Sequence, residues 1–298
     1  MQNRRTDNKY DRPCRGKKDG MNSAFGSGHF FKKQFGQNFL SDDALLADIV
    51  ADADLSPDDA VLEIGPGTGA LTRHLAKAAK KVVAYEIDTD LKRLLSQNLA
   101  DCPNTEVVFK DFMRATDEEI TEKLGNDYAV VANLPYYITA PVITLFIEKV
   151  QRGARIKSLT LTLQKEVADR LVAKEGTADY GAITVALASV AESTLTRTVD
   201  RSLFYPVPNV DSAVVTIRFK GNRLNVTDYS SFREITRCAF AQRRKTLSNN
   251  VISYFKTDRT TAENWLSENG IDGSVRGETL SPQQFATLAN NLCKLKRN

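Results

Sequence analysis

Histidine and cysteine, which often supply general bases and metal ligands, are scarce in this 298-residue chain. The two histidines, His29 and His74, lie in no recognisable motif, which argues against histidine-based catalysis. The four cysteines are far apart and form no Cys-x-x-Cys pair: Cys14, Cys102, Cys238 and Cys293. This spacing predicts neither a zinc site nor a disulfide framework, so we expect no metal and a reducing, cytoplasmic environment.

Long apolar runs are also missing. No run approaches the roughly 20 residues that a membrane-spanning helix needs, so no membrane association is expected. Charge is unevenly distributed: the net charge is +4 over residues 1–28, −7 over residues 29–217 and +7 over residues 218–298. Basic regions around an acidic centre are typical of a protein that binds a polyanion, although exposed cations without a partner would give the same pattern.

Three alternating glycines end the strand-like run Val-Leu-Glu-Ile-Gly-Pro-Gly-Thr-Gly at residues 61–69, and an amphipathic segment follows over residues 70–79. The pattern predicts a buried strand, a tight turn and the start of a helix. Because Gly65, Gly67 and Gly69 have no Cβ, the backbone there can adopt positive φ and lie close to a ligand. Plain strand-to-helix connections use such turns too.

The next strand-like run, at residues 81–88, ends in acidic residues. Glu86 lies close to the roughly 20-residue offset at which a carboxylate binds ribose hydroxyls, so a nucleoside ligand is predicted. Pro66 donates no hydrogen bond, and the third glycine is not at the helix-packing position of a dinucleotide loop. The loop therefore suits a ligand without a pyrophosphate, such as S-adenosylmethionine.

Strand-like runs alternate with helical segments through the first two thirds of the chain: residues 60–65, 81–88, 106–111, 128–134, 158–163 and, last, 210–219. This alternation predicts an α/β fold with a doubly wound, Rossmann-like sheet. Parallel strands end at one edge, so Gly65, Glu86, Asp111 and Asn133 are expected to share a pocket there. Taken singly, an Asp or Asn at a strand end is more simply explained as a helix cap.

Three motifs together resemble a known family: Gln-Asn-Phe-Leu at residues 37–40, Glu-Ile-Gly-Pro-Gly-Thr-Gly at 63–69 and Asn-Leu-Pro-Tyr at 133–136. They resemble the ribosomal RNA adenine dimethyltransferases, over roughly residue 31 to the C-terminus. The similarity is greatest to the branch that dimethylates two adjacent adenosines near the 3′ end of small-subunit ribosomal RNA. The resemblance implies an S-adenosylmethionine-dependent methyltransferase that acts on this RNA, within an immature ribosomal subunit, during small-subunit biogenesis.

The resemblance also implies which residues bind the cofactor: Asn38, Leu40, Gly65, Gly67, Glu86, Asp111 and Asn133. Asn38 and Leu40 are expected to close over it. Glu86 is expected to bind the ribose, and Asp111 to accept a hydrogen bond from the adenine amino group. Both roles suit carboxylates, which accept hydrogen bonds from hydroxyls and amines.

Catalysis is assigned by the same resemblance to Asn133, Leu134, Pro135, Tyr136 and Phe204. The adenine amino nitrogen is a poor nucleophile because its lone pair is delocalised into the ring. Asn133 and a backbone carbonyl held by Pro135 could accept its two hydrogens and favour a pyramidal nitrogen. Tyr136 and Phe204 are expected to stack on the extruded base, although Phe204 taken alone is more simply a core aromatic.

From residue 221 to residue 298 the pattern is helical, which predicts a small helical domain. The resemblance implies that this domain binds the RNA substrate. Arg243, Arg244 and Lys245 match the family's basic segment and are expected to bind phosphates, whereas a bare run of cations is more often a solvated helix face. The methyltransferase domain is predicted over residues 29–220. Residues 1–28 are predicted to be a disordered basic tail, and Met21 is an alternative initiator.

Two other functions fit parts of the sequence. One is the related class that methylates large-subunit ribosomal RNA, against which Leu134 argues because isoleucine is usual there. The other is a non-catalytic assembly or transcription factor that binds nucleic acid, against which the intact Asn-Leu-Pro-Tyr motif argues.

Overall fold

The computed structural model describes residues 38–297. The predictions of a disordered tail over residues 1–28 and of initiation at Met21 lie outside these residues. No helix within the described part of the chain is long and apolar enough to cross a membrane.

A seven-stranded sheet forms the centre of the fold. Its strands are β2 (Ala60–Ile64), β3 (Lys81–Glu86), β4 (Thr105–Phe109), β5 (Tyr128–Asn133), β6 (Ile156–Gln164), β7 (Ala191–Val199) and β9 (Ser212–Phe219). Their order is β4-β3-β2-β5-β6-β9-β7. The four pairings among β2, β3, β4, β5 and β6 are parallel. Strand β9 pairs antiparallel with both β6 and β7. The predicted Rossmann-like α/β sheet is confirmed.

Two very short strands, β1 (Phe39–Leu40) and β8 (Phe204–Tyr205), form a separate antiparallel pair. The longer elements are joined by α-helices on both sides of the sheet and beyond it. These are α1 (Asp43–Asp52), α2 (Ala70–Ala78), α3 (Lys92–Asn98), α4 (Asp117–Leu124), α5 (Thr139–Gln151), α6 (Lys165–Leu171), α7 (Ala182–Ala188), α8 (Tyr229–Phe240), α9 (Leu247–Phe255), α10 (Arg259–Glu268), α11 (Pro282–Asn290) and α12 (Leu292–Arg297).

Local sequence explains where several helices begin. The Asp228 side chain accepts hydrogen bonds from the backbone N–H groups of Ser230 and Ser231 at the start of α8. Ser281 caps α11, the Gln284 side chain bonds back to the Ser281 N–H, and Pro282 occupies the first turn, where its missing N–H costs nothing.

Sequence reasoning missed the two-residue strands β1 and β8 and one long strand, β7. It is an edge strand, and its solvent-facing positions carry polar residues, so the run Ala-Glu-Ser-Thr-Leu-Thr-Arg-Thr-Val has little hydrophobic signal. Its alternating threonine and aliphatic residues were the only indication of a strand. Arg197 on β7 bonds to Asp48 and Asp52 of α1, and these contacts hold α1 against the sheet.

The position of the pocket follows from the strand order. The chain leaves β2 toward β3 on one side, while β5 lies on the other side of β2. Loops after β2 and β5 therefore diverge and leave a crevice at the carboxyl edge, where ligands bind in folds of this kind.

A second hydrophobic core supports the C-terminal helices. It contains Phe232, Trp265 and Phe285, all buried, and it also includes Tyr180 and Val185 from before residue 221. The boundary at residues 220/221 stays a prediction, but this core draws on both sides of it.

We expect Gly277→Ala to destabilise the C-terminal helices. A Cβ at Gly277 would lie 2.4 Å from the Ala239 carbonyl oxygen, near the end of α8, so the backbone would have to move. Overpacking of this kind costs about 1–3 kcal/mol in the free energy of unfolding. Urea denaturation would measure the loss, and a variant within 0.5 kcal/mol of the wild type would contradict the close contact.

Candidate active site

One pocket at the carboxyl edge of the sheet gathers side chains from segments that are distant in sequence. All the residues that the sequence assigned to the cofactor or to catalysis line it: Asn38, Leu40, Gly65, Gly67, Glu86, Asp111, Asn133, Leu134, Pro135, Tyr136 and Phe204. Their individual roles stay predictions, but a single pocket can serve all of them.

The glycine loop forms the floor of this pocket. Gly65, Gly67 and Gly69 have φ values of 72°, 57° and 82°, which side chains other than glycine rarely adopt. A Cβ on Gly67 would also lie 2.8 Å from the Phe39 ring. Glycine at residue 67 is therefore required both by the turn and by the segment that lies over it.

Glu86 is held at the end of β3 by main-chain donors. Its Oε2 accepts from the Gly67 N–H at 3.1 Å, and its Oε1 accepts from the Asp88 N–H at 2.8 Å. Burial raises the pKa of Glu86, and the two N–H donors act in the opposite direction. The carboxylate thus joins the glycine loop to the next strand and fixes the distance between them.

Asp111 follows β4 and is half-buried. Its Oδ1 accepts from the Met113 N–H at 2.9 Å and so caps a short turn over Phe112–Arg114. Asp111 is therefore a cap, as its position at a strand end suggested. Asp111 also lines the pocket. Ile87 and Met113, both exposed, line the pocket beside Glu86 and Asp111.

Asn133 ends β5 and touches the segment at the start of the described chain. Its Nδ2 donates to the Asn38 carbonyl oxygen at 3.0 Å. Because that partner can only accept, the amide nitrogen must lie on that side, and the orientation of Oδ1 is fixed with it. Asn133 therefore links two of the predicted site segments.

Tyr136 and Phe204 sit in different environments. The half-buried Tyr136 hydroxyl lies 2.9 Å from the Ser212 Oγ at the start of β9. Burial raises the pKa of Tyr136. Phe204 is only 2% exposed and packs with Leu40, Val199 and Val214 in a core cluster, so it is both a core aromatic and part of the pocket wall.

Glu63 is a pocket residue that the sequence analysis did not assign. It is 1% exposed, and its Oε2 has no hydrogen-bond partner among the described residues. Burial raises its pKa to about 8; the neighbouring Thr72 hydroxyl acts to lower the pKa, and the charge of Glu86 acts to raise it. An acidic residue in the middle of an aliphatic strand, directly before the glycine loop, was the available signal.

The basic segment lies in the turn between α8 and α9, not on a helix face. The Arg243 guanidinium donates to the carbonyl oxygens of Ala178 at 2.7 Å and Tyr180 at 3.1 Å, and it lies 3.4 Å from Glu278. Arg244 and Lys245 are exposed. Arg243 therefore has a structural role in binding these two carbonyl oxygens, whereas the exposed Arg244 and Lys245 do not share it.

This fold defines the class: an α/β protein with the Rossmann-like methyltransferase fold. A family model described as "Ribosomal RNA adenine dimethylase" matches residues 28–294. The chain belongs to the ribosomal RNA adenine dimethylase family and is a ribosomal RNA adenine dimethyltransferase.

Individual relatives agree with the family. Two curated proteins called ribosomal RNA small subunit methyltransferase A, from Bacillus mycoides (strain KBAB4) and Bacillus cereus (strain B4264), are each 44% identical over 272 residues. The match covers 89% of this chain and 92% of each relative.

Two solved structures are similar over most of the chain. A dimethyladenosine transferase from Plasmodium falciparum has a TM-score of 0.71 at 26% identity and covers 86% of this chain and 98% of its own. The 23S rRNA methyltransferase ErmE has a TM-score of 0.66 at 32% identity and covers 86% of this chain and 100% of its own.

We expect Glu63→Gln to stabilise the protein, and more so at pH 8 than at pH 5. A carboxyl whose pKa is about 8 in the folded state and about 4.3 in the unfolded state binds more protons when folded, so wild-type stability falls as pH rises between these values. The fall is at most about 1.4 kcal/mol per pH unit, and glutamine removes it.

Urea denaturation at pH 5, 6.5 and 8 measures this effect, with the exposed Glu122→Gln as the matched control. A difference between Glu63→Gln and the wild type that does not change with pH would contradict the assigned environment of Glu63.

Proposed function

We propose that this enzyme transfers methyl groups from S-adenosylmethionine to the exocyclic amino groups of two adjacent adenosines near the 3′ end of small-subunit ribosomal RNA. Four transfers would give two dimethyladenosines. The substrate is small-subunit ribosomal RNA within an immature ribosomal subunit, in the cytoplasm, and the reaction belongs to small-subunit biogenesis. One observation carries the proposal: the proposed cofactor residues and Asn133–Tyr136 line a single pocket.

The residues of the pocket suit this cofactor. Glu86 would accept from the ribose hydroxyls, and Asp111 from the adenine amino group, with Ile87 and Met113 as apolar walls for the adenine ring. The unpartnered Glu63 Oε2 would face the cationic amino-acid end, since a buried carboxyl without a partner favours a cation. Asn38 and Leu40, on the segment that Asn133 holds, would exclude water.

S-adenosylmethionine supplies an activated methyl group, so the protein itself needs neither a strong base nor a covalent nucleophile. Asn133 Oδ1 and a backbone carbonyl of the Leu134–Pro135 segment would accept the two hydrogens of the adenine amine. The Asn38 contact fixes the Asn133 amide, and the Leu134 N–H donates to the Thr162 carbonyl at 3.2 Å, so both acceptors are positioned in advance. Alignment of this kind contributes up to roughly 7–11 kcal/mol to catalysis.

Tyr136 would stack on the target base, with its ring orientation held by the hydroxyl contact to Ser212. Phe204 would complete the wall of the base site. Stacking contributes about 1–3 kcal/mol per base, which is comparable to the cost of unstacking a nucleotide.

The substrate can be tested directly. Purified protein would be incubated with radiolabelled S-adenosylmethionine and immature small subunits from cells that lack the endogenous enzyme, and the RNA digested to nucleosides. We expect label in dimethyladenosine, mapped to the two adjacent adenines. Label only in large-subunit RNA would replace the proposal with the ErmE-like activity, and cofactor binding without any label would favour an assembly factor.

Asn133→Ala should lower kcat by at least about 100-fold at saturating cofactor, because one of the two acceptors for the amine hydrogens is lost. It should also weaken cofactor binding, since the Asn38 contact is lost with it. Calorimetry with S-adenosylhomocysteine separates the two effects. A variant with wild-type kcat would remove Asn133 from the chemistry.

The three basic residues should behave differently from one another. Arg244→Ala and Lys245→Ala should each weaken RNA binding and reduce the slope of log K against log salt by up to about one unit. Arg243→Ala should instead lower the free energy of unfolding by about 1 kcal/mol, because two carbonyls lose a donor. Filter binding at several salt concentrations measures the salt slope, and urea denaturation measures the free energy of unfolding. Equal salt slopes for all three variants would contradict the different roles assigned to them.

A further inference from the structure

The exposed part of the pocket lining is apolar. Among the described residues that line the pocket, only Ile87, Met113 and Tyr137 are exposed, at 43%, 40% and 56%, and the rest are buried or half-buried. We call these three residues the pocket mouth. Large apolar side chains that are grouped around an opening mark a binding site more reliably than scattered ones do.

Two residues of the pocket mouth adjoin the carboxylates of the pocket. Ile87 directly follows Glu86 at the end of β3. Met113 lies two residues after Asp111, and its N–H donates to Asp111 Oδ1 at 2.9 Å. Because β3 and β4 are neighbours in the sheet, with Glu86 opposite Phe109, their ends place one apolar side chain beside each carboxylate.

Tyr137 reaches the pocket mouth from the other side of the crevice. It lies on the short 3-10 turn Tyr136–Ile138 that follows β5. Burial raises the pKa of Tyr137, and the charges of Asp111 and Glu86 act in the same direction. The Tyr137 side chain therefore lies on the side of the pocket that holds the two carboxylates.

The two neighbouring tyrosines of this turn serve different parts of the pocket. The Tyr136 hydroxyl lies against Ser212 at the start of β9, whereas Tyr137 lies on the carboxylate side. Their backbone is fixed, because the Ile138 N–H donates to the Pro135 carbonyl at 3.1 Å and the turn continues directly into α5. An aromatic ring presented from such a turn loses little conformational entropy when it binds a ligand.

The chemistry of the pocket mouth suits the adenine of the cofactor. A flat ring needs apolar and aromatic neighbours, and its amino group needs an acceptor such as Asp111. The cations nearby are already paired: Lys110 lies 2.5 Å from Glu119, and Arg114 lies 3.6 Å from Asp111. A surface that binds single-stranded RNA would instead interleave its aromatic side chains with cations available to phosphates.

We propose that Tyr137 is a further cofactor-binding residue, whose ring packs on the adenine of S-adenosylmethionine at the pocket mouth and slows the exchange of cofactor between successive methyl transfers. This inference rests on the proposed function. Tyr137 touches no reacting atom, so its effect falls on the affinity and dissociation rate of the cofactor. The turn Tyr136–Ile138 would then hold the target base with its first residue and the cofactor with its second.

The test measures binding of S-adenosylhomocysteine to the full chain without RNA, with calorimetry for Kd and stopped-flow fluorescence for the dissociation rate. Tyr137→Ala should raise Kd roughly tenfold, the loss of one aromatic contact with a base, mainly through faster dissociation. Tyr137→Phe keeps the ring and should stay within about twofold of the wild type. Tyr254→Ala, which removes an exposed tyrosine on α9, is the matched control and should leave Kd unchanged.

A second ligand, 5′-methylthioadenosine, lacks the amino-acid end and so locates the contact. Tyr137→Ala should weaken its binding by the same factor. The adenine contact is overturned by wild-type affinity in Tyr137→Ala, by an equal loss in Tyr137→Phe, or by a loss confined to S-adenosylhomocysteine. It is also overturned by a higher KM for the immature small subunit with unchanged affinity for S-adenosylhomocysteine, because Tyr137 would then contact the RNA.

The urea midpoint of each variant verifies that it folds. If Tyr137→Ala is destabilised, Tyr137→Leu takes its place, since leucine keeps the bulk but not the flat ring and should also weaken binding. Failure of the proposed function is distinct, because the wild type itself would then bind no S-adenosylhomocysteine or would leave the small-subunit RNA unlabelled.

Discussion

The main-chain pairing of β2 with β5 is the constraint on which the rest of the site depends. These two parallel strands lie side by side, although α2, β3, α3, β4 and α4 separate them along the chain, and their following loops leave in opposite directions. The glycine loop and the Asn133–Tyr136 segment therefore face each other across one crevice. Glu86 and Asp111, at the ends of β3 and β4, extend the same edge on one side.

Two opposing requirements meet in this crevice. A stable core would contain no unpartnered carboxyl, yet Glu63 lies buried within β2, and one of its oxygens has no hydrogen-bond partner in the part of the chain that the structure describes. Each Glu86 oxygen accepts from one main-chain N–H, which fixes the carboxylate and leaves a further lone pair on each oxygen for a ligand. Glu86 thus supports the glycine loop. Burial of the Glu63 carboxyl without a partner costs free energy, and a cationic ligand would offset that cost.

Much of this arrangement could be predicted from the sequence because it depends on local signals. The aliphatic run before Gly65 has the pattern of a buried strand, and acidic residues follow the later strand-like runs. The carboxyl edge of the sheet brings these residues together as expected. Strand β7 was missed because an edge strand with a solvated face lacks such a run. The separate role of Arg243 could not be predicted either, since its carbonyl partners at Ala178 and Tyr180 are more than 60 positions away in sequence.

The β1–β8 pair joins residues that are far apart in the order of synthesis. Phe39 pairs with Tyr205, 166 positions later, so the segment that covers the glycine loop lacks this strand partner until the ribosome has released the chain beyond residue 205, although the Asn133 contact to Asn38 is available to it earlier. The parallel strands that supply most of the pocket emerge earlier. A partly synthesised chain therefore has the carboxylates and the glycine turn but lacks one wall, and the pocket closes only near the end of translation of the α/β part.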